Sequence, residues 1–428
     1  MADRIHVVGA GIAGLAAALA ATRRGARGAL YEAAPQAGGR CRTVRAADGF
    51  DHDNGTHVLF TANRAALGLL EAVGARADWI EPEPEGLPVY DPAAGGLVRI
   101  GLSPWSWGSR RLRPAGMGAR DLLRLARLAL PLGDRPVGSV MAGSALGPAF
   151  VEPLTVAVLN TPMEAASSRR LGRALRRLSV PGAARLLVAR RGLGPDLVDP
   201  ALRILARRGC APATGRRLRG LATEGGRVTG LAFADRTVPV GPRDAVILAL
   251  PPSEIARLLP GIAVPERFEP IVNLHFRIAG PDRPRFVGFA GMLAQWALVR
   301  GDHVSVTVSA AGAAADGTAA RLADQVWGEI APALRALGIA ADPGRVPDAR
   351  VVKERRATIR QAAGRLPQPP LRPLANLALA GDWIGTLPAT IESAVRSAER
   401  AVAALGPGWM PARGLPRQDL VAAAGRAP

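Results

Sequence analysis

The stretch IHVVGAGIAGLAAALAATRRG, residues 5–25, decides the fold. Residues 5–8 are an apolar run of strand type, interrupted by His6. From Ile12 onward Ala and Leu fill a helical pattern that Arg23-Arg24-Gly25 closes. Between them lies Gly9-x-Gly11-x-x-Gly14. The turn needs a residue without a side chain at Gly9, a pyrophosphate reaches the backbone only where Gly11 is bare, and helix and strand approach closely only across Gly14. The first helical residues, Ile12 and Ala13, bring free N–H groups and the positive end of the helix dipole to such phosphates. GALYEAA, residues 28–34, reads as the next strand and completes a βαβ unit. Glu32 ends that strand eighteen residues after Gly14, where a carboxylate accepts hydrogen bonds from a ribose diol. Three glycines alone say little in a chain this rich in Gly. Strand, helix and acid in one register predict an α/β dinucleotide-binding domain.

Composition bounds the partners. A chain of 428 residues, 48% hydrophobic, is long enough for two sizeable domains and a substantial core. Its formal charge of +20 would ordinarily point to an anionic partner. Here Lys353 is the one lysine and every other base is Arg, beside abundant Ala, Gly and Pro, which reads as coding bias. No stretch alternates basic and aromatic residues as a single-strand platform does, and no zinc-finger spacing occurs, so nucleic acid is not expected as a partner. Cys41 and Cys210 are too few for a disulfide framework and are not spaced as metal ligands, which suits a reducing cytoplasm. MADRIHVVGAG enters a strand at once without a signal-peptide pattern, and no apolar run reaches the ~20 residues of a spanning helix. The expectation is a cytoplasmic protein, free or lying on a membrane surface.

Along the chain a helix is expected near 65–73, after which the pattern becomes irregular and Pro-rich through Pro82, Pro84 and Pro88 and marks a domain transition. Residues up to about 185 read mostly as helices broken by Pro and Gly, including ALRRLSVPGAARLLVARR at 174–191. Residues 216–240 look like a β-hairpin turning at Glu224-Gly225-Gly226, and 243–252 is a buried strand ended by prolines. Strands follow at 271–278, 295–300 and 303–310, then helix over 314–337. LALAGDWIGTLPATIESAVRSAERAV, 377–402, returns to the strand-turn-helix pattern of the N-terminus. Ile391, Val395, Ala398, Val402 and Leu405 form the apolar stripe of its helix. Residues 406–428 read as a flexible tail.

Shortly after Glu32, Gly38-Gly39-Arg40-Cys41-Arg42 sets cations where they reach the same pyrophosphate from its other side. GAGIAGLAAA, E-x(5)-GGR and the late AGDW with its helix resemble the FAD-dependent amine oxidase and carotenoid desaturase superfamily. More narrowly, EPLTVAVLNTP (152–162), IVNLHFR (271–277), QWALVRG (295–301), VVKERRATI (351–359) and NLALAGDWIGTLPATIESAVRS (376–397) resemble the hydroxysqualene dehydroxylase family over nearly the whole chain. The resemblance implies FAD as cofactor. It implies an FAD-binding Rossmann-like domain of the glutathione reductase type, built discontinuously from 1–75, 190–262 and 370–405, with 76–189 and 263–369 as an α+β substrate domain. Gly9, Gly11, Ile12, Ala13, Gly14, Glu32, Gly39, Arg40 and Arg42 are then cofactor-binding. Gly55, Thr56 and His57 approach the ring system, and Leu218 touches the adenine through its backbone. Gly381 and Asp382 bind the phosphate and ribityl portion, while Pro388, Ala389, Thr390 and Ile391 lie by the flavin ring. Pro388 suits a first helical turn there, and the helix dipole favours negative charge on a reduced flavin.

By the same resemblance, the reaction replaces the allylic hydroxyl of hydroxysqualene with hydrogen and gives squalene. Such a site needs one proton donor in a long apolar tunnel that keeps water out. Candidate catalytic donors are Asp53, His57, Glu152 and Lys353, whereas His275 sits in an alternating strand and reads as structural. A buried Glu152 would stay protonated, and a buried Lys353 can donate where Arg cannot. Turn capping by Asp53, core packing of His57 and helix capping by Glu152 are the competing readings. Residues 103–132 combine Trp105 and Trp107 with many arginines and a leucine-rich helix, a composition for touching lipid, which would place the protein on the inner face of the bacterial plasma membrane. A carotenoid or phytoene-type desaturase or an amine oxidase is the alternative enzyme. Only 4% aromatic residues argue against an amine oxidase's aromatic cage. Association with other squalene-forming enzymes is the non-enzymatic reading.

Overall fold

The computed structural model describes residues 4–406, so the expected tail from Pro407 on lies outside the described residues. Five parallel strands form one sheet in the order Pro212–Ala213, Arg27–Tyr31, Arg4–Val8, Ala245–Leu248 and Leu377–Leu379. Its strands are apolar on both faces because both faces are covered. Ile5, Val7, Ile247 and Ala378 pack under the helices Ile12–Arg23 and Ile391–Ala404, which share one core. Val8, Val246, Leu248 and Leu379 pack on the other side, against a three-stranded antiparallel sheet, Gly220–Glu224, Arg227–Ala232 and Thr237–Pro239. The two ends of the chain therefore share one sheet, separated only by Ala245–Leu248. The stripe expected on the last helix is buried, from Ile391 through Val395, Ala398 and Val402 to Leu405.

A second sheet has seven strands in the order Ala349–Ile359, Phe268–Arg277, His303–Val308, Trp296–Arg300, Arg285–Phe289, Leu87–Asp91 and Gly96–Ile100. One face, with Val272, Leu274, Phe276, Val304 and Val306, packs under the helix Ala319–Ala336 around Trp327. The opposite face turns toward the first sheet. There Asn273 donates to the Asn54 carbonyl at 3.4 Å, and His275 stacks on His52 with ring centroids 4.3 Å apart.

Two local expectations fail for tertiary reasons. Leu87–Asp91 and Gly96–Ile100 are strands, although the prolines suggested irregular chain. The ladder to Arg285–Phe289 starts at Val89, one residue after Pro88, so the missing N–H is not needed there. Leu186–Ala189, read as part of a helix, is a strand between Leu59–Phe60 and Trp79–Ile80. All four of its residues are buried, alternately into the first core and against the second sheet, and pairing overrides local propensity. Among the described residues no helix is long and apolar enough to cross a membrane.

Candidate dinucleotide and substrate site

The N-terminal turn has the shape its glycines foretell. Gly9 lies at φ +98°, and a Cβ there would strike the Ala249 carbonyl; a Cβ on Gly14 would strike the Gly9 carbonyl. Gly11 differs, because the nearest atom to a Cβ there is the Gly39 Cα at 3.9 Å. Its bare backbone faces open space at the N-terminus of Ile12–Arg23, where Ile12 and Ala13 begin the helix, and such a cradle fits a phosphate group. The Glu32 carboxylate accepts from the Ala10 N–H at 2.7 Å and the Ala34 N–H at 2.8 Å, which fixes it at the lip of the loop with acceptor capacity left over. The chain that leads to Leu218 runs alongside, with the Arg216 N–H donating to the Glu32 carbonyl at 2.7 Å. Leu218 itself is buried, and its carbonyl accepts from Arg257 at 2.7 Å.

The opposite wall comes from the chain's other end. The Gly38 N–H donates to the Ala10 carbonyl at 2.8 Å, and Gly39–Cys41 turns the chain back. Arg40 then reaches Asp382 at 2.8 Å and also the Ala357 carbonyl, so one guanidinium joins the first loop, the last loop and the second sheet. Arg42 has no side-chain hydrogen bond or ion pair among the described residues, which leaves its charge for an anion. Gly381 donates to the Ser397 hydroxyl at 2.9 Å, and a Cβ on it would lie 2.6 Å from the Trp383 indole nitrogen. The last helix begins at Ile391 with Thr390 as its N-cap, whose hydroxyl accepts from the Ser393 N–H at 3.4 Å. Pro388 therefore precedes the cap and is not in the first helical turn, a correction to the sequence reading.

Sequence reasoning missed what holds this loop. Arg170 donates to the Leu387 and Gly385 carbonyls at 2.8 and 3.3 Å, and Arg173 to the Thr386 carbonyl at 2.7 Å. Burial pushes the Arg170 pKa down to about 10, which leaves it charged at neutral pH. Arg177 pairs with buried Glu392 at 3.0 Å, and the Gln361 side chain accepts from the Ala389 N–H at 2.9 Å. The signal was present as arginines at i, i+3 and i+7 on the helix Ser168–Leu178.

The four expected donors do not converge. Asp53 is buried and fully engaged: Arg300 binds one oxygen at 2.7 Å, while Thr43 and the Leu193 N–H bind the other at 2.6 and 3.0 Å. Glu152 is exposed in the first turn of Glu152–Leu159 rather than buried. Lost hydration and the charge of Glu164 push its carboxyl up, yet a carboxylate open to solvent stays ionised at neutral pH. Lys353 stands opposite Val272 on the helix-covered face and donates to the Gly317 carbonyl, facing away from the Asn54 turn. His57 lies in that turn, beside Gly55 and Thr56. Its Nδ1–H donates to the Gly55 carbonyl at 3.1 Å, and burial pushes its pKa down. A carbonyl only accepts, so Nδ1 holds the proton and Nε2 is the free nitrogen.

Behind this turn His52, His275 and His303 form a buried cluster, with His275 Nδ1 2.8 Å from the Ser305 hydroxyl. Burial holds His275 and His303 below the ordinary imidazole value, so the folded protein binds fewer protons than the unfolded chain below pH ~6.5. The stability they contribute is complete above that pH and is lost as pH falls. Denaturant midpoints are expected to drop from pH 7 to pH 5, at about 1.4 kcal/mol per pH unit for each proton bound only by the unfolded state, and less steeply in His275→Gln.

A family model described as an NAD(P)-binding Rossmann-like domain matches residues 7–73. Hydroxysqualene dehydroxylase of Rhodopseudomonas palustris is 37% identical over the full length of both chains. The chain belongs to the hydroxysqualene dehydroxylase family. Another member, from Sinorhizobium fredii, is 34% identical over 94% of this chain and 98% of its own. Among solved structures, cyclohexylamine oxidase from Brevibacterium oxydans superposes with a TM-score of 0.67, covering 95% of this chain and 99% of that one at 14% identity. The family's chain thus has the fold expected from its two end motifs, an oxidoreductase fold with a Rossmann-like dinucleotide domain.

Proposed function

We propose that this chain binds FAD between its two terminal loops and, with the flavin reduced, converts hydroxysqualene to squalene. The observation that carries the reading is the Arg40–Asp382 contact, which closes a dinucleotide cradle in a chain that matches hydroxysqualene dehydroxylases end to end. Segments 1–75, 190–262 and 370–405 then act as one cofactor domain. Glu32 takes the ribose diol, the Gly11 turn and Arg42 take the pyrophosphate, and the N-terminus of Ile391–Ala404 faces the ring edge. Bound and reduced, FAD supplies a hydride. In the substrate the allylic C–O bond breaks with its electron pair on oxygen, one proton turns the departing hydroxide into water, and hydride fills the carbon: a two-electron reduction. His57, protonated at Nε2 as an imidazolium, gives that proton, since Asp53, Glu152 and Lys353 are engaged or turned elsewhere.

Anaerobic incubation of photoreduced, FAD-loaded protein with hydroxysqualene tests this directly. Squalene should appear one for one with flavin reoxidation, and a loaded protein that leaves hydroxysqualene intact would falsify it. Glu32→Ala should weaken FAD binding at least about tenfold, read by titrating apoprotein with the flavin. Equal occupancy would remove the ribose contact.

The same reading places the protein on a lipid surface. Seven large apolar side chains are exposed among the described residues, and six of them, Trp105, Leu122, Leu123, Leu130, Leu132 and Val180, fall on or beside residues 103–132. Exposed Arg120 and Arg127 share the helix Ala119–Ala129 with Leu122 and Leu123, so lipid phosphates and acyl chains meet complementary groups. Leu123→Ser with Leu130→Ser should reduce sedimentation with vesicles of one-third phosphatidylglycerol about tenfold or more. Undiminished sedimentation would exclude this face.

A further inference from the structure

A packed apolar cluster extends from the residues after His57 to a cavity at the surface. Val58 and Phe60 follow His57 and pack with Leu186 and Val188 and with Phe286, Trp296 and Leu298 of the second sheet. The same cluster continues through Leu87 and Leu102. These two, with Leu112, Leu186 and Phe286, line a cavity of about 180 Å³ that opens outward. Ion pairs stand at its rim, Arg185–Glu81 at 2.6 Å and Arg285–Glu83 at 2.7 Å. Trp105 lies between two lining residues, Ser103 and Ser106, and is 70% exposed, with its indole N–H donating to the Ser179 carbonyl at 2.6 Å. The mouth thus opens beside exposed Trp105.

The inner end carries one more feature. The Trp296 indole N–H is buried without a hydrogen-bond partner. Trp296 stands opposite Thr307, which stands opposite Asn273, the residue that contacts the Asn54 turn. An orphaned donor in an apolar wall is unfavourable by about 1–3 kcal/mol unless a ligand satisfies it. We infer that a long isoprenoid chain enters from its lipid solvent through the outer cavity and by parting this packed cluster, and that Trp296 donates to the one hydroxyl such a chain carries. This rests on the function proposed above.

Cys41 and Cys210 are both buried, so Leu112→Cys gives the FAD-loaded protein one thiol that a maleimide can reach. Squalene should slow its alkylation at least fivefold, and a bulky maleimide once attached should lower kcat/KM for hydroxysqualene at least tenfold with the flavin spectrum unchanged. Leu102→Cys repeats the experiment if Leu112→Cys does not retain FAD, and Val346→Cys, exposed elsewhere, should show neither effect. Trp296→Phe should raise KM for hydroxysqualene about tenfold, one hydrogen bond's worth, without altering squalene protection. An active protein whose Leu112→Cys thiol is neither protected nor inhibitory when labelled overturns this entry route while the function stands. Wild-type protein that makes no squalene overturns the function, and protection by squalene then decides the entry route alone. An unchanged KM in Trp296→Phe overturns the hydroxyl contact.

Discussion

Asp53→Ala is expected to lower the unfolding free energy by about 3–5 kcal/mol, because it leaves Arg300 as an uncompensated buried charge. The pair lies 2.7 Å apart with side chains 6% and 4% exposed, and it joins the turn beside the cofactor loops to the second sheet. The Thr43 hydroxyl and Leu193 N–H lose their acceptor in the same variant. Denaturant midpoints measure the loss. Replacing both charges, as in Asp53→Leu with Arg300→Met, should restore much of the stability, since a buried pair and an apolar pair are close in free energy while a lone charge is not. The contrast with catalysis is sharp. Were Asp53 the proton donor, Asp53→Ala would unfold like wild type and lose only turnover, and that result would remove its role as a latch.

His57→Gln carries the largest expected effect on rate, a fall of about 100-fold to 10,000-fold in squalene formation with FAD still bound. Burial and the nearby Arg40 push the His57 pKa below the ordinary imidazole value, so only a minority is protonated at neutral pH. The proton-donating form gains as pH falls. Wild-type turnover should therefore rise from pH 8 toward pH 6, while His57→Gln should be flat over that range. A wild-type profile without this slope, or a variant that keeps its rate, excludes His57.

The parts of the fold legible in the sequence are those whose cause is local. Gly9 is required by its own positive φ, Gly14 by the Gly9 carbonyl in the same turn, and Glu32 by amides of Ala10 and Ala34, so spacing alone identifies them. The hairpin at Gly225-Gly226 is legible for the same reason, since both residues take positive φ. Pro88 and the strand Leu186–Ala189 were misread because their state depends on which neighbour pairs with them. The surroundings of the candidate donors were the least legible. Asp53 is decided by Arg300, 247 residues away, and Lys353 by strand parity, since a neighbour on the same strand would have faced the other way. Glu152 needed an apolar covering that only the assembled chain could deny. Trp296 gave no signal, because an orphaned N–H exists only once the wall around it is built.

The shared sheet also sets the order in which the protein can mature. A nascent chain on the ribosome makes the first βαβ unit early, yet the strand Leu377–Leu379 follows only much later and the Asp382 that Arg40 waits for is translated 342 residues after it. Until then, the early unit lacks one edge of its sheet and one side of its core, and such long-range closure is slow and exposes apolar surface. Under the proposed function, free flavin would then trap the closed form by mass action and draw newly made chains away from aggregation.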